Sequence, residues 1–296
     1  MEHVDFLVIG GGAAGLSAAL GAAEAGRSVL LCERGTLLGG ILNQCLHEGF
    51  GRALFGEDLT GPEFAARLIP ALQNSSAQVL TQTSVLSLSP EQTALLSGRA
   101  GLRRIRFDRC ILAAGCREKT FASLGIAGTR PAGIFTAGTA QKLVNLGGHS
   151  VGDRILILGS GDIGQIMARH FVESGRAVVA LLEQADHVGG MARNRRECLE
   201  AYRIPVLLRT TVDEILGTGR IRGVTARNLD TGRRWEISCD TLVTALGLLP
   251  DQTLCRSLLV KGQLPSWLRL SGNCESVHDI VDSVVREAYA LGAASW

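Results

Sequence analysis

The sequence predicts an α/β fold in two parts, each a parallel sheet with crossover helices and an antiparallel flap, the second part inserted into the first. Three observations predict it. Two glycine fingerprints, Gly10-Gly11-Gly12-Ala13-Ala14-Gly15 and Gly159-Ser160-Gly161-Asp162-Ile163-Gly164, lie half a chain apart, each between a short apolar run and a helix pattern of small residues. Each is followed by a second apolar run ending in an acid, Glu33 in one copy and Glu183 in the other. Each is closed by a matching strand, Asp108-Arg109-Cys110-Ile111-Leu112-Ala113-Ala114-Gly115 and Asp240-Thr241-Leu242-Val243-Thr244-Ala245-Leu246-Gly247. A lone G-x-G-x-x-G arises often by chance, but two, each with an acid about 20 residues on, do not.

Residues 4–9 read as a strand, the first glycines as a tight turn, residues 13–25 as a helix and residues 28–32 as a second strand before Glu33. That is the order of a Rossmann-like dinucleotide-binding domain. Gly10 permits the turn, Gly12 lets backbone approach a pyrophosphate, and Gly15 lets the helix pack closely on its strand. The unpaired N–H groups of the helix start, at Ala13 and Ala14, face the phosphates, and Glu33 accepts from a ribose diol. The second copy repeats this with residues 154–158, the glycines, a helix over 162–174 opening on Asp162 and Ile163, then residues 177–182 and Glu183.

Residues 79–107 and 206–237 are short alternating strands punctuated at Ser89-Pro90, Ser97-Gly98, Gly217, Gly219 and Asp230-Thr231-Gly232, which fits a three-stranded antiparallel flap in each half. After Gly247 come a strand-like Leu268-Arg269-Leu270-Ser271, the turn Gly272-Asn273 and a helix over 278–291. This tail is too short for another domain and returns to complete the first. The expected domains are therefore 1–118 with 240–296, and 119–239.

Of 296 residues, 46% are hydrophobic and 20% charged, the balance of a globular chain with a sizeable core. A formal net charge of +2, well mixed along the chain, gives no electrostatic reason for a nucleic acid or an acidic membrane surface as partner. The nearly uncharged stretch 6–23 has the length of a signal peptide or membrane span, but its clustered glycines belong to a strand-turn-helix. No transmembrane segment is expected, and the default location is the cytoplasm. Eight cysteines are scattered without a C-x-x-C or a zinc-like cluster, so no metal site is expected; Cys32, Cys110 and Cys239 fall in strand-like runs and read as core.

Taken together, Gly10 to Glu33, Ala113 to Gly115, Gly159 to Glu183, Ala245 to Pro250 and Gly272-Asn273 resemble the two-dinucleotide-domain flavoprotein superfamily that includes thioredoxin reductase and the pyridine nucleotide-disulfide oxidoreductases. The resemblance covers essentially the whole chain. It implies FAD on the first fingerprint and NAD(P)H on the inserted one, with the late turn placing Gly272 and Asn273 beside the flavin's phosphate and ribitol. The superfamily usually has aspartate where Asn273 stands; the amide still donates and accepts. Arg34, Gly40, Ala114, Gly115, Gly247, His278 and Asp279 join the implied cofactor contacts.

A finer likeness rests on the run from Gly39 to Gly51 with Cys45, on Leu59-Thr60-Gly61-Pro62-Glu63, Gly115-Cys116-Arg117-Glu118, Gly128-Thr129-Arg130-Pro131-Ala132-Gly133, Ala137-Gly138-Thr139-Ala140-Gln141 and Val277-His278-Asp279. These are similar to the small NAD/FAD-dependent subunit that accompanies a glycerol-3-phosphate dehydrogenase-like flavoprotein. That likeness implies as partners a small cysteine-containing protein and a second flavoprotein subunit, in an oligomer or hetero-complex.

If both cofactors bind, hydride moves between nicotinamide and flavin; the cofactors carry that chemistry while the protein aligns them. A helix beginning near His278 would aim its positive end at the flavin; the plainer reading of His278 and Asp279 is that they cap that helix. Glu183 repels a ribose 2′-phosphate and binds the free diol, which favours NAD over NADP, unless it is only a solvated strand-end acid. Disulfide reductases of the larger type carry a cysteine pair facing the flavin, and here position 40 is Gly, leaving Cys45 alone. No two cysteines lie close together between Thr120 and Asp240 either, so electrons need another exit.

The expected activity is transfer of hydride between NAD(H) and FAD, with electrons passed to a partner flavoprotein, which the finer likeness implies to be of glycerol-3-phosphate dehydrogenase type. One alternative is a self-contained NADH oxidase or peroxidase in which Cys45 is the catalytic thiolate or sulfenic acid; Cys116 is a weaker candidate. Another is a non-catalytic nucleotide-binding subunit. Arg193-Asn194-Arg195-Arg196 reads as a solvated face.

Overall fold

The computed structural model describes residues 1–296. The first apolar run forms β1 (Glu2–Ile9), and the alanine-rich segment after the glycines forms α1 (Ala13–Glu24), a composition of high helix propensity. Gly26, with φ +77°, ends α1 by returning its N–H to the Ala23 carbonyl at 3.0 Å. The wholly buried β2 (Val29–Cys32) lies parallel to β1, Phe6 against Val29. Next comes α2 (Gly61–Gln73), started by a capping box between Thr60 and Glu63. β3 (Gln78–Leu80) pairs parallel with β2. β4 (Ser84–Leu88), β5 (Thr93–Gly98) and the long β6 (Gly101–Leu112) form the flap, and β6 also pairs parallel with β1 from Ile105 to Leu112.

The inserted half repeats the plan. β7 (Ile134–Thr136) precedes α3 (Ala137–Asn145); β8 (Arg154–Leu158) leads through the second glycine turn into α4 (Asp162–Glu173) and β9 (Ala177–Leu182). β10 (Val206–Leu207) pairs parallel with β9; β11 (Thr210–Gly217), β12 (Ile221–Asn228) and β13 (Arg234–Ser238) make the flap, with Ala127–Gly128 added at its edge; β14 (Thr241–Thr244) closes the parallel sheet. The tail gives β15 (Leu268–Leu270), parallel to β6, and α5 (Val281–Ala293).

The larger sheet therefore runs β3-β2-β1-β6-β5-β4 with β15 also on β6, and the second parallel sheet runs β7-β14-β8-β9-β10. In the first unit one core lies between the sheet and α1, α2 and α5, and a second on the other face around Phe107, Leu258 and Trp267. Cys32, Cys110 and Cys239 are buried, and none of the eight cysteines forms a disulfide. α5 crosses α1 closely because Gly292 brings its backbone onto the Ala18 carbonyl and Gly21 meets the Tyr289 carbonyl, where no Cβ would fit. No helix is long and apolar enough to cross a membrane.

The chain divides into Met1–Arg117 with Leu249–Trp296, and Glu118–Leu248. The return to the first unit thus falls at Leu249 and not at 240, because β14 pairs in register with both β7 and β8. The two chain crossings, Cys116–Glu118 and Leu248–Pro250, pair with each other. The flaps begin later than 79 and 206, since Gln78–Leu80 and Val206–Leu207 are edge strands of the parallel sheets. The terminal helix starts at Val281 instead of 278: Ile280 is its extended N-cap, and neither His278 nor Asp279 caps it.

Candidate functional site

In the first unit the turn is shaped by contacts that exclude side chains. Gly10 has φ +107° and lies against the Ala113 carbonyl, and a Cβ on Gly15 would run into the Gly10 carbonyl. β1, the turn and α1 can meet only with glycine at both places. Gly12, the N-cap of α1, is different: a Cβ there would find only Gly40 Cα, at 4.0 Å. No side chain caps α1, and its first internal bond is Leu16 N–H to Gly12 O at 2.9 Å. The N–H groups of Ala13, Ala14 and Gly15 are therefore left for an anion beside an open cradle.

Glu33 braces this turn. Its Oε2 accepts from Gly11 N–H at 2.7 Å and its Oε1 from Gly35 N–H at 2.5 Å, and each oxygen keeps a lone pair for a diol. The Gly39–Gly40 segment folds back over it: Gly39 N–H donates to Gly11 O at 2.7 Å, and both residues have positive φ. At the end of β6, Ala113 seats Gly10, and Ala114 leads into Gly115 with φ +74°. From the tail, Gly272 (φ +66°) packs against Ala14, where a Cβ would stand 2.8 Å from the Ala14 Cβ. Asn273 Oδ1 accepts from His278 N–H at 3.0 Å, and its Nδ2 lies 3.8 Å from Cys116 Sγ. His278 Nε2 lies 3.1 Å from Glu287, its Nδ1 is buried without a partner, and Asp279 is exposed. Arg34 is exposed and within electrostatic reach of Asp251.

Cys45 does not have the surroundings of a thiolate. Its Sγ donates to Ile41 O at 3.3 Å, and burial pushes the thiol up to about 12. Its backbone carbonyl accepts from Gly61 N–H at 2.8 Å, so Cys45 seats the start of α2. Another residue escaped the sequence reading. Asp282, buried at the start of α5, accepts from the N–H groups of Gly51, Ala53 and Leu54 at 3.2, 3.0 and 2.8 Å. The helix end expected to face a cofactor thus carries a carboxylate that organises residues 51–54.

The second unit repeats these contacts by itself. Gly159 (φ +104°) lies on the Ala245 carbonyl, a Cβ on Gly164 would stand 2.5 Å from Gly159 O, and a Cβ on Gly161 would meet nothing within 4 Å. Gly161 is the N-cap of α4, again without a side-chain cap, and Ile163 is half-buried in its first turn. Glu183 Oε2 accepts from Ser160 N–H at 2.9 Å and from its hydroxyl at 2.6 Å, while Oε1 accepts from Ala185 N–H at 2.9 Å. Burial pushes the Glu183 carboxyl up, but the hydrogen bonds from Ala185, Ser160 and Gln184 outweigh it and hold the group below the ordinary range. Gly247 (φ +94°) ends the closing segment as Gly115 does in the first unit.

Over this turn lies a strap, residues 189–194. Gly189 N–H donates to Ser160 Oγ at 2.9 Å, and the buried Gln165 amide donates to Ser160 O and Gly189 O, both at 2.7 Å. Asp162 Oδ1 accepts from Met191 N–H at 2.7 Å and from Asn194 Nδ2 at 2.6 Å. The signal for the strap was in the sequence: Leu38-Gly39-Gly40 after Glu33 recurs as Val188-Gly189-Gly190 after Glu183. A third polar group, His3, Asp5 and Asp108, sits at the other end of β1 from the turn and satisfies itself, His3 on Asp108 at 2.9 Å and Asp5 on Ser28 N–H at 2.8 Å.

Residues 4–265 match the family described as Pyridine nucleotide-disulphide oxidoreductase. The chain belongs to that family. Proteins of this family are FAD- and NAD(P)-dependent oxidoreductases, and the two open cradles, each with a carboxylate beside it, suit dinucleotides of that kind. The alpha subunit of sarcosine oxidase from Rhizobium meliloti (strain 1021) is 28% identical over 261 residues, which cover 84% of this chain and 25% of that protein. An opine oxidase subunit of the same strain is 28% identical over 188 residues, covering 62% and 40%. The chain thus spans well under half the length of these curated relatives. Among solved structures, thioredoxin reductase from T. acidophilum superimposes with a TM-score of 0.79 at 20% identity over 99% of this chain and 97% of that one, a likeness of fold.

Proposed function

We propose that this chain is the NAD-linked flavoprotein component of a larger oxidoreductase, exchanging electrons with a partner flavoprotein that handles the organic substrate. The observation that carries this reading is the missing dithiol: position 40 is Gly, and the cysteine at 45 is a buried thiol donating to a carbonyl. A dithiol relay through positions 40 and 45 has no starting point, so in this reading electrons leave by another acceptor. That two relatives bear the names of oxidase subunits supports a hetero-complex. A glycerol-3-phosphate dehydrogenase-type partner is one such flavoprotein.

When bound, FAD and NAD(H) supply the hydride chemistry. In this reading the protein's part is to hold and align. The α1 start, Glu33 and Gly272-Asn273 hold the flavin dinucleotide; the α4 start and Glu183 hold the nicotinamide dinucleotide. The depressed Glu183 carboxyl keeps a full negative charge at neutral pH, which accepts from a ribose diol and repels a 2′-phosphate. NAD(H) is the nicotinamide cofactor this favours. Anaerobic titration of the flavin-loaded protein tests the assignment: NADH should bleach the flavin absorbance and NADPH should need far higher concentrations. Bound flavin that neither nucleotide reduces would overturn it.

A further inference from the structure

We propose that Asp162 sets the affinity of the second turn for nucleotide phosphates, opposing their binding so that this site exchanges its ligand while the first retains its own. The inference rests on reading the second turn as the nicotinamide dinucleotide site. Asp162 stands where the first turn has Ala13, each the first residue of its helix after a glycine N-cap. Both helices present their first N–H groups to an anion, and there phosphate and helix dipole attract. At the first turn nothing offsets that attraction in the position concerned, because alanine carries no charge. At the second, a half-buried carboxylate occupies it.

The strap holds that carboxylate in place. Met191 N–H and Asn194 Nδ2 reach the same oxygen, Oδ1, at 2.7 and 2.6 Å. Gly190, with φ +70°, passes so close that a Cβ would stand 2.6 Å from Asp162 Oδ1 and 2.9 Å from Asp162 N. Both donors are neutral, so the bonds fix the group without cancelling its charge. Incoming phosphates bring two further negative charges to one helix start. Asp162 is a positioning residue for affinity: it raises the dissociation constant of every ligand with phosphate at this turn and leaves a ligand without phosphate untouched.

Calorimetric titration of the flavin-loaded protein with ADP-ribose, NADH, NADPH and adenosine tests this. Asp162→Asn keeps an oxygen for Met191 N–H and removes the charge. It should tighten ADP-ribose, NADH and NADPH alike by about two- to fivefold, the scale of one charge at a helix end, and leave adenosine unchanged. Asn194→Ala loosens the strap and keeps the charge, so it should not tighten ADP-ribose. Unchanged or weaker ADP-ribose binding in Asp162→Asn, or equal tightening in Asn194→Ala, overturns the proposal while NADH still binds. If the wild-type protein binds neither ADP-ribose nor NADH, the nucleotide assignment of this turn fails first and the proposal with it. Retained flavin and an unchanged melting temperature show that each variant is folded.

Discussion

Ser160 gives two hydrogen bonds to one oxygen of Glu183, from its N–H at 2.9 Å and its hydroxyl at 2.6 Å, whereas Gly11 gives Glu33 only an N–H at 2.7 Å. The two acids stand at matching places, yet the second is tied more tightly to its turn. Replacing Glu183 by Gln removes the charge-assisted part of this bracing and of the diol contact proposed for it. NADH affinity should fall by about tenfold, and the NADH over NADPH preference should shrink with it. Parallel titrations with both nucleotides read the two effects together.

The depressed Glu183 carboxyl also predicts a pH dependence of stability. Its folded pKa lies below its unfolded one, so its contribution is complete above the ordinary glutamate range and is lost as pH falls through the depressed value. Urea midpoints measured from neutral pH down through that range should drop more steeply for the wild type than for Glu183→Gln. Parallel curves would refute it.

Two glycines of the second turn should separate folding from binding. Gly164→Ala sets a Cβ 2.5 Å from Gly159 O and should destabilise the protein by about 1–3 kcal/mol. Gly161 has φ −63° and no atom within 4 Å of a Cβ, so Gly161→Ala should fold normally and bind NADH more weakly. Thermal melts and NADH titrations on both variants check the contrast.

Asp282→Ala strips the N–H groups of Gly51, Ala53 and Leu54 of their buried acceptor. The expected loss is about 1–3 kcal/mol, since the buried Gly51 N–H is left unsatisfied while the more exposed N–H groups of Ala53 and Leu54 can turn to water. Chemical unfolding gives the magnitude, and increased proteolysis near residues 51–54 would locate it.

Cys45, with its thiol pushed up to about 12, should resist iodoacetamide at pH 8 in the folded protein and react on unfolding. Cys45→Ser should leave NADH turnover with oxygen or peroxide unchanged. A marked loss would restore the thiolate reading.

By itself the sequence determined what depends on neighbours along the chain. The positions of both glycine turns, the helices after them, the acids Glu33 and Glu183 and the closing strands were legible because turns, helix periodicity and strand runs are local. Tertiary structure alone decided the rest. β14 belongs with the insertion because its register partners are β7 and β8, which lie far away in sequence. Asp282 and the strap donors of Asp162 draw their roles from partners more than 25 residues distant, and Cys45 becomes an inert thiol only through burial. The paired fingerprints announce two similar turns; a carboxylate at Asp162, at the position where the other copy has the uncharged Ala13, makes them physically unequal.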